Sequence, residues 1–156
     1  MWVPDSTRLK IEVVKAVRAP VRPSFARSVL ARTASLPEVA ARLPEGISTI
    51  AVRITGDHEL RRLNKTYADN DSITDVLAFE GSGDHLGDLA ISWETVARQA
   101  DGFKHTPLAE FALLSVHGML HLLGWDHAAA AEREEMVRLT TAALELSGVR
   151  LPAGRL

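Results

Sequence analysis

The sequence predicts an α+β fold, with a small mixed β-sheet of about four strands packed with about five helices. Three observations lead there. Short apolar segments with strand-like patterning occur at 8–17, 46–55, 73–80 and 86–92. Longer segments whose apolar residues recur at helical spacing lie between and after them. The chain of 156 residues, 46% apolar and 24% charged, suits one domain spanning 1–156 with a real hydrophobic core.

The elements follow in order. RLKIEVVKAV (8–17) contains a short alternating run and reads as a first strand. From Pro23 to about Ala41, residues Phe25, Val29, Leu30, Leu36 and Val39 recur on a helical period, with Pro37 placed to break it. GISTIAVRIT (46–55) is the strongest strand pattern of the first half. Asp57 stands where an N-cap would, opening HELRRLNKTYA with Leu60, Leu63 and Tyr67 on one face. ADNDS (68–72) is a polar turn cluster. ITDVLAFE (73–80) and LGDLAIS (86–92) flank the glycine-bearing GSGDH, which predicts a hairpin. WETVARQADG (93–102) predicts a short helix closing near Gly102. Thr106 and Pro107 then mark the start of LAEFALLSVHGMLHLL, apolar nearly all round and therefore the buried central helix. The stretch 129–148 predicts an amphipathic last helix stopped by Gly148.

Composition excludes several classes. The chain has no cysteine, so neither a disulfide framework nor a thiolate metal site is available. Any metal must be held by histidine and carboxylate. No apolar run reaches membrane-spanning length and the N-terminal residues have no apolar core of a secretory signal, so a cytoplasmic protein without a membrane partner is expected. Net charge is −2, yet residues 1–65 carry twelve Lys/Arg against six Asp/Glu, and residues 66–156 six against fourteen. The basic half suits an anionic partner, although solvated helix faces account for such a split more simply.

HGMLHLLGWDH (117–127) holds three of the six histidines. Residues i and i+4 share a helix face, so His117 and His121 can reach one point. Gly124 is suited to a left-handed C-cap that reverses the chain and brings His127 back to that point. Three isolated histidines among Leu, Met and Trp would each need a partner, at a cost of about 1–3 kcal/mol for each one left unpaired. A shared ion satisfies all three, which predicts one zinc at the end of the central helix with a fourth position open. The spacing also matches the metzincin zinc proteases, whose glutamate after the first histidine is the general base. Here that position is Gly118, so proteolysis loses its proton acceptor.

HGMLHLLGWDH resembles the signature of the YbeY family of rRNA maturation factors, H-G-x-L-H-L-x-G-[YW]-D-H. ELRRLNKTYADNDSITDVLAFE and LGDLAIS resemble two further segments of that family, and Glu134 and Met136 match a Glu/Met pair in its last helix. The similarity covers about residues 46–148. It implies a metal-dependent, single-strand-specific endoribonuclease, active in maturation of the 16S rRNA 3′ end and in ribosome quality control. It carries the zinc ligands, and hence the catalytic site, to His117, His121 and His127. It implies single-stranded RNA, rRNA, the ribosome or ribosomal proteins as partners, and not DNA. One position departs from the pattern: the arginine that usually follows the tyrosine is Ala68 here. Arg61 and Lys65 lie on the same side of that helix and are the candidate substitutes for phosphate contact.

Other residues carry two readings. Asp75 and Asp88, inside strand patterns, suit either a carboxylate that orients an imidazole or serves as a proton acceptor, or a local cap. Asp126 suits ligand orientation or turn capping. Glu80 and His85 flank the hairpin loop and suit the lining of a cleft above the metal, His85 more simply the surface. His58 and His105 read as surface or cap residues. Trp125 suits base stacking or, more simply, packing on the central helix. Two other functional classes stay open: a zinc hydrolase acting on peptides or amides, and a non-catalytic ribosome-associated factor with a structural metal.

Overall fold

The computed structural model describes residues 9–68, 75–126 and 128–156. Its elements, in chain order, are β1 (Lys10–Lys15), α1 (Pro23–Ser35), α2 (Pro37–Arg42), β2 (Thr49–Thr55), α3 (Asp57–Ala68), β3 (Val76–Glu80), β4 (His85–Ser92), α4 (Trp93–Phe103), α5 (Pro107–Leu122) and α6 (Ala130–Leu146). The fold is α+β, as the patterning predicts. Among the described residues there are six helices where about five were expected. Pro37 divides the 23–41 stretch into two helices and itself opens the second, where its missing N–H costs nothing. The ADNDS turn, beyond its first residue, lies outside the described residues.

The sheet runs β1-β2-β4-β3, with β1, β2 and β4 parallel and β3 antiparallel to β4. Alternation decides the faces. Ile50, Val52 and Ile54 of β2, with Leu89 and Ile91 of β4, enter the main core. Leu77 and Ala90 point to the other face, where Leu60 of α3 covers them. The central helix α5 is buried along almost its whole length, from Ala109 to Leu120 apart from a half-buried His117. Phe111 on α5 meets Phe25 of α1 and Trp93 of α4 at ring-centroid distances of 6.4 and 6.1 Å. Thr106 caps α5 by accepting from the Ala109 N–H, as its position predicts.

Two helix ends show detail beyond the expectation. Helix α4 closes near Gly102, as expected, but not with glycine as its cap. It runs to Phe103, and Lys104 takes the left-handed conformation (φ 57°) while Lys104 and His105 donate to the carbonyls of Asp101 and Ala100. Those two bonds occupy carbonyls the helix end would otherwise leave unpaired, which holds a non-glycine residue in that conformation. Asp57 does not sit outside α3 as its cap. It is the first residue of the helix, and its carboxylate accepts from Ser92 Oγ, Thr95 Oγ1 and Arg98 Nη1 at the start of α4. In return Glu94 Oε1 accepts the Asp57 N–H. The two helix starts are thus tied to each other.

Burial works to raise the Asp57 pKa, but the hydrogen bonds from Arg98, Ser92 and Thr95 outweigh it and hold it at about 2, against an ordinary 3.8. A carboxylate whose folded pKa is depressed adds stability above its unfolded pKa, and this is lost as pH falls through the folded value. Stability should therefore fall by about 2 kcal/mol between roughly pH 4 and pH 2 on account of this group alone. Urea denaturation at stepped pH checks this. Asp57→Asn should be less stable at neutral pH and show a flatter acid limb, and an acid limb as steep as wild type would exclude Asp57 as its source.

Candidate metal centre

The stretch that carries the histidines ends α5 and turns out of it. Gly124 has φ 95°. The Gly124 N–H donates to the His121 carbonyl at 3.0 Å and the Trp125 N–H to the Leu120 carbonyl at 3.1 Å. That pair of bonds is a Schellman closure, and it sends the chain back along the helix end. A side chain at 124 would be strained in this conformation, which accounts for glycine there.

His117 and His121 stand one helical turn apart near the C-terminal end of α5, the first half-buried and the second exposed. His121 Nδ1 lies 3.1 Å from the Trp125 carbonyl oxygen. A carbonyl only accepts, so Nδ1 carries the proton, and in the neutral ring the lone pair sits on Nε2. An imidazole prepared for a metal has this arrangement, with one nitrogen held by a backbone acceptor and the other directed to the ion. His127, the third expected ligand, lies outside the described residues, as does the side chain of Ala68. Among the described residues no set of three or more histidine, aspartate or glutamate side chains is grouped to hold an ion. The two described donors fit zinc in type, and His121 also in tautomer.

Gly118 faces the sheet. A Cβ built there would stand 2.8 Å from Leu89 Cδ2 and 3.1 Å from Val76 Cγ2. The position that holds the base in metzincins is therefore filled by close helix–sheet packing, and a carboxylate there would point into apolar side chains. Gly87 serves the same contact from the strand, where an added Cβ would meet the Phe79 carbonyl and Leu122.

The remaining candidates separate clearly. Asp75 precedes β3 instead of lying within it, and its Oδ1 accepts the Val76 N–H at 2.9 Å, the capping role. Asp88 alternates to the opposite side of β4 from Gly87 and Leu89, which pack on α5. It meets an imidazole, but that of His85, whose Nε2 lies 3.1 Å from Asp88 Oδ1 and whose Nδ1 lies 2.7 Å from Thr49 Oγ1. Glu80 and Asp88, with Arg53, Tyr67 and Phe79, line a cleft of about 820 Å³ along the sheet. Asp126 Oδ1 accepts the Ala128 N–H at 3.2 Å, spanning residue 127 as a turn cap. His58 is exposed, as expected. His105 is not a surface residue. Its side chain is 7% exposed and meets the fully buried Glu110, which also takes a two-pronged contact from Arg155. Trp125 is 2% exposed and takes the packing role, so its ring does not offer a face to a base.

Arg61 and Lys65 are both exposed on α3, four residues apart. Sequence reasoning passed over Arg42 and Glu135, which both reach Trp125; no local pattern marks either one.

A profile of the Endoribonuclease YbeY family matches residues 19–148 of this chain. The chain is 39% identical over 149 residues to an Endoribonuclease YbeY from Aromatoleum aromaticum, covering 94% of each protein. A second relative of that name, from Roseiflexus, is 38% identical over 86% of this chain and 89% of its own. A third, from Chloroflexus aggregans, is 39% identical over 71% of this chain and 80% of its own. The solution structure of a Thermotoga maritima protein superposes with a TM-score of 0.59 over 93% of this chain and 99% of that one, at 19% identity, and so shares the fold. A profile match that takes in β2, β3 and β4, the central helix and the whole histidine stretch leaves one conclusion: the chain belongs to the Endoribonuclease YbeY family.

Proposed function

We propose that this protein is a zinc-dependent endoribonuclease that cleaves single-stranded RNA. The names of its relatives support the endoribonuclease activity, and by the motif resemblance its place is rRNA maturation at the 16S 3′ end and ribosome quality control in the cytoplasm. The observation that carries the proposal is the arrangement at the end of α5. There His117 and His121 share a face, and His121 has its Nδ1 proton engaged by the Trp125 carbonyl.

The ligand set is His117, His121 and His127. When bound, zinc supplies Lewis acidity toward a phosphodiester oxygen and toward water. The chain's own residues do the rest. The Trp125 carbonyl fixes the His121 tautomer. The Schellman turn at Gly124 fixes the direction in which the chain leaves toward residue 127. Gly118 leaves no room for the carboxylate base of a peptidase, which favours phosphodiester over peptide chemistry. Metal analysis combined with single-stranded RNA cleavage, for wild type and for His117→Ala, tests the proposal.

Arg61 and Lys65 are assigned to the RNA backbone. They are exposed cations on α3, the helix that ends at the position where the family's arginine is replaced by alanine. Removing one phosphate-binding cation should reduce the salt slope of binding by about one. Arg61→Ala with Lys65→Ala should raise KM for single-stranded RNA and flatten its salt dependence without altering zinc content. Binding and cleavage unchanged across a salt series would remove both residues from the substrate site.

A further inference from the structure

The turn after α5 is gripped from two directions. Arg42, the last residue of α2, places its guanidinium carbon 3.7 Å from the centroid of the Trp125 ring. Its Nη1 also lies 3.5 Å from the Leu123 carbonyl oxygen, at the C-cap of α5, and 3.6 Å from Glu132 Oε1. From α6, Glu135 Oε1 accepts the Trp125 indole N–H at 3.2 Å. Trp125 is thereby held on a ring face by a planar cation and at its nitrogen by a carboxylate, within a buried setting. Its backbone carbonyl is the group that accepts the His121 Nδ1 proton.

We propose that Arg42 and Glu135 are positioning residues for the metal centre, acting through Trp125 to fix the tautomer and ring direction of His121. The inference rests on the assignment of His117, His121 and His127 as ligands. Among the described residues, Arg42 and Glu135 make their contacts with Trp125, Leu123 and Glu132 and not with His117 or His121. Both act on the placement of residue 125: a ring held by Arg42 and Glu135 and an N–H bonded to the Leu120 carbonyl fix its N, Cα and Cβ, and with them the point from which its carbonyl reaches His121. Ligand geometry tolerates displacements of only about 0.5 Å or 10–20°. Partners that orient a ligating imidazole are typically worth about 10–100-fold in metal affinity. Arginine is suited to its position by the planar guanidinium, which stacks on the indole and still reaches a carbonyl; a lysine ammonium offers a point charge only.

The test uses the full chain. Zinc affinity is measured by competition with a chromophoric chelator, the His121 tautomer in zinc-free protein by ¹⁵N NMR, and folding by thermal melting of the zinc-free protein. Arg42→Ala and Glu135→Ala should each weaken zinc binding about 10-fold or more and mix the His121 tautomers. Glu135→Gln keeps an accepting oxygen and should restore affinity to within about threefold of wild type, a rescue that loss of bulk packing would not show. Trp125→Phe should make Glu135→Ala silent, since the bond that residue makes is already gone. If Arg42→Ala does not fold, Arg42→Lys and Glu135→Ala carry the same expectation. Zinc affinity and tautomer both unchanged in the alanine variants, beside a lost site in His117→Ala, would overturn the clamp alone. Wild-type zinc binding by His117→Ala would overturn the ligand assignment and the clamp with it.

Discussion

His117→Ala is expected to lose stoichiometric zinc and to lower single-stranded RNA cleavage by more than about 10³-fold, while the protein stays folded. The magnitude follows from what a metal contributes to a developing charge, several kcal/mol, of which about 4 kcal/mol already amounts to three decades in rate. Folding should survive because alanine is the best helix former and position 117 is only half-buried, among neighbours that supply the packing of α5. The measurement is metal content by atomic absorption beside initial rates on a single-stranded oligoribonucleotide, with a peptide substrate as a second arm. Cleavage retained without metal would sink the zinc mechanism. Peptide cleavage without RNA cleavage in the wild type would move the protein to another hydrolase class.

Gly118→Glu is expected to destabilise the fold by more than about 3 kcal/mol, and to confer no peptidase activity. It adds a Cβ where 2.8 Å separates it from Leu89 Cδ2, an overpacking that alone costs about 1–3 kcal/mol. It then places an unpaired carboxylate against Leu89 and Val76, whose desolvation costs several kcal/mol more. Gly118→Ala isolates the first contribution and should fall in the lower range. Chemical denaturation of both variants separates the two. A Gly118→Ala protein as stable as wild type would show that Leu89 yields without cost.

Much of the fold was legible because it rests on periodicity. The alternation at 46–55 and the all-round apolar stretch at 108–123 predict β2 and α5 to within a few residues, since each follows from which face must be buried. Pro37 and Gly124 act through their own backbones, so their positions could be read directly. The departure at Lys104 is local, whereas the other two share one cause, a partner that arrives from far along the chain. Lys104 takes the left-handed turn although Gly102 is close by, because the carbonyls of Ala100 and Asp101 are best reached from residues 104 and 105. His105 has an ordinary local setting, yet it meets the buried Glu110, whose other partner, Arg155, comes from 45 residues beyond. Asp57 carries the signature of a helix cap but directs its carboxylate to Arg98, 41 residues away. The candidate site was legible for the same reason as the strands: its spacing is local, i to i+4 and then a glycine. The clamp on Trp125 was not, because Arg42 and Glu135 are 93 positions apart in the sequence.

The strand order β1-β2-β4-β3 also sets a sequence of events at synthesis. β4 is the last strand made, yet it is the inner one that pairs with both β2 and β3. When the first 80 residues have emerged, β1 and β2 can pair, but β3 has no neighbour in this sheet until β4 follows. The β3–β4 hairpin is the most local pairing and closes quickly, whereas docking it in parallel against β2 spans more than thirty residues and is the slower event. The histidine-bearing helix is translated after that, against a surface of Val76 and Leu89 that is by then complete. A nascent chain of this protein therefore has the surface on which α5 packs before it has the histidines that α5 carries.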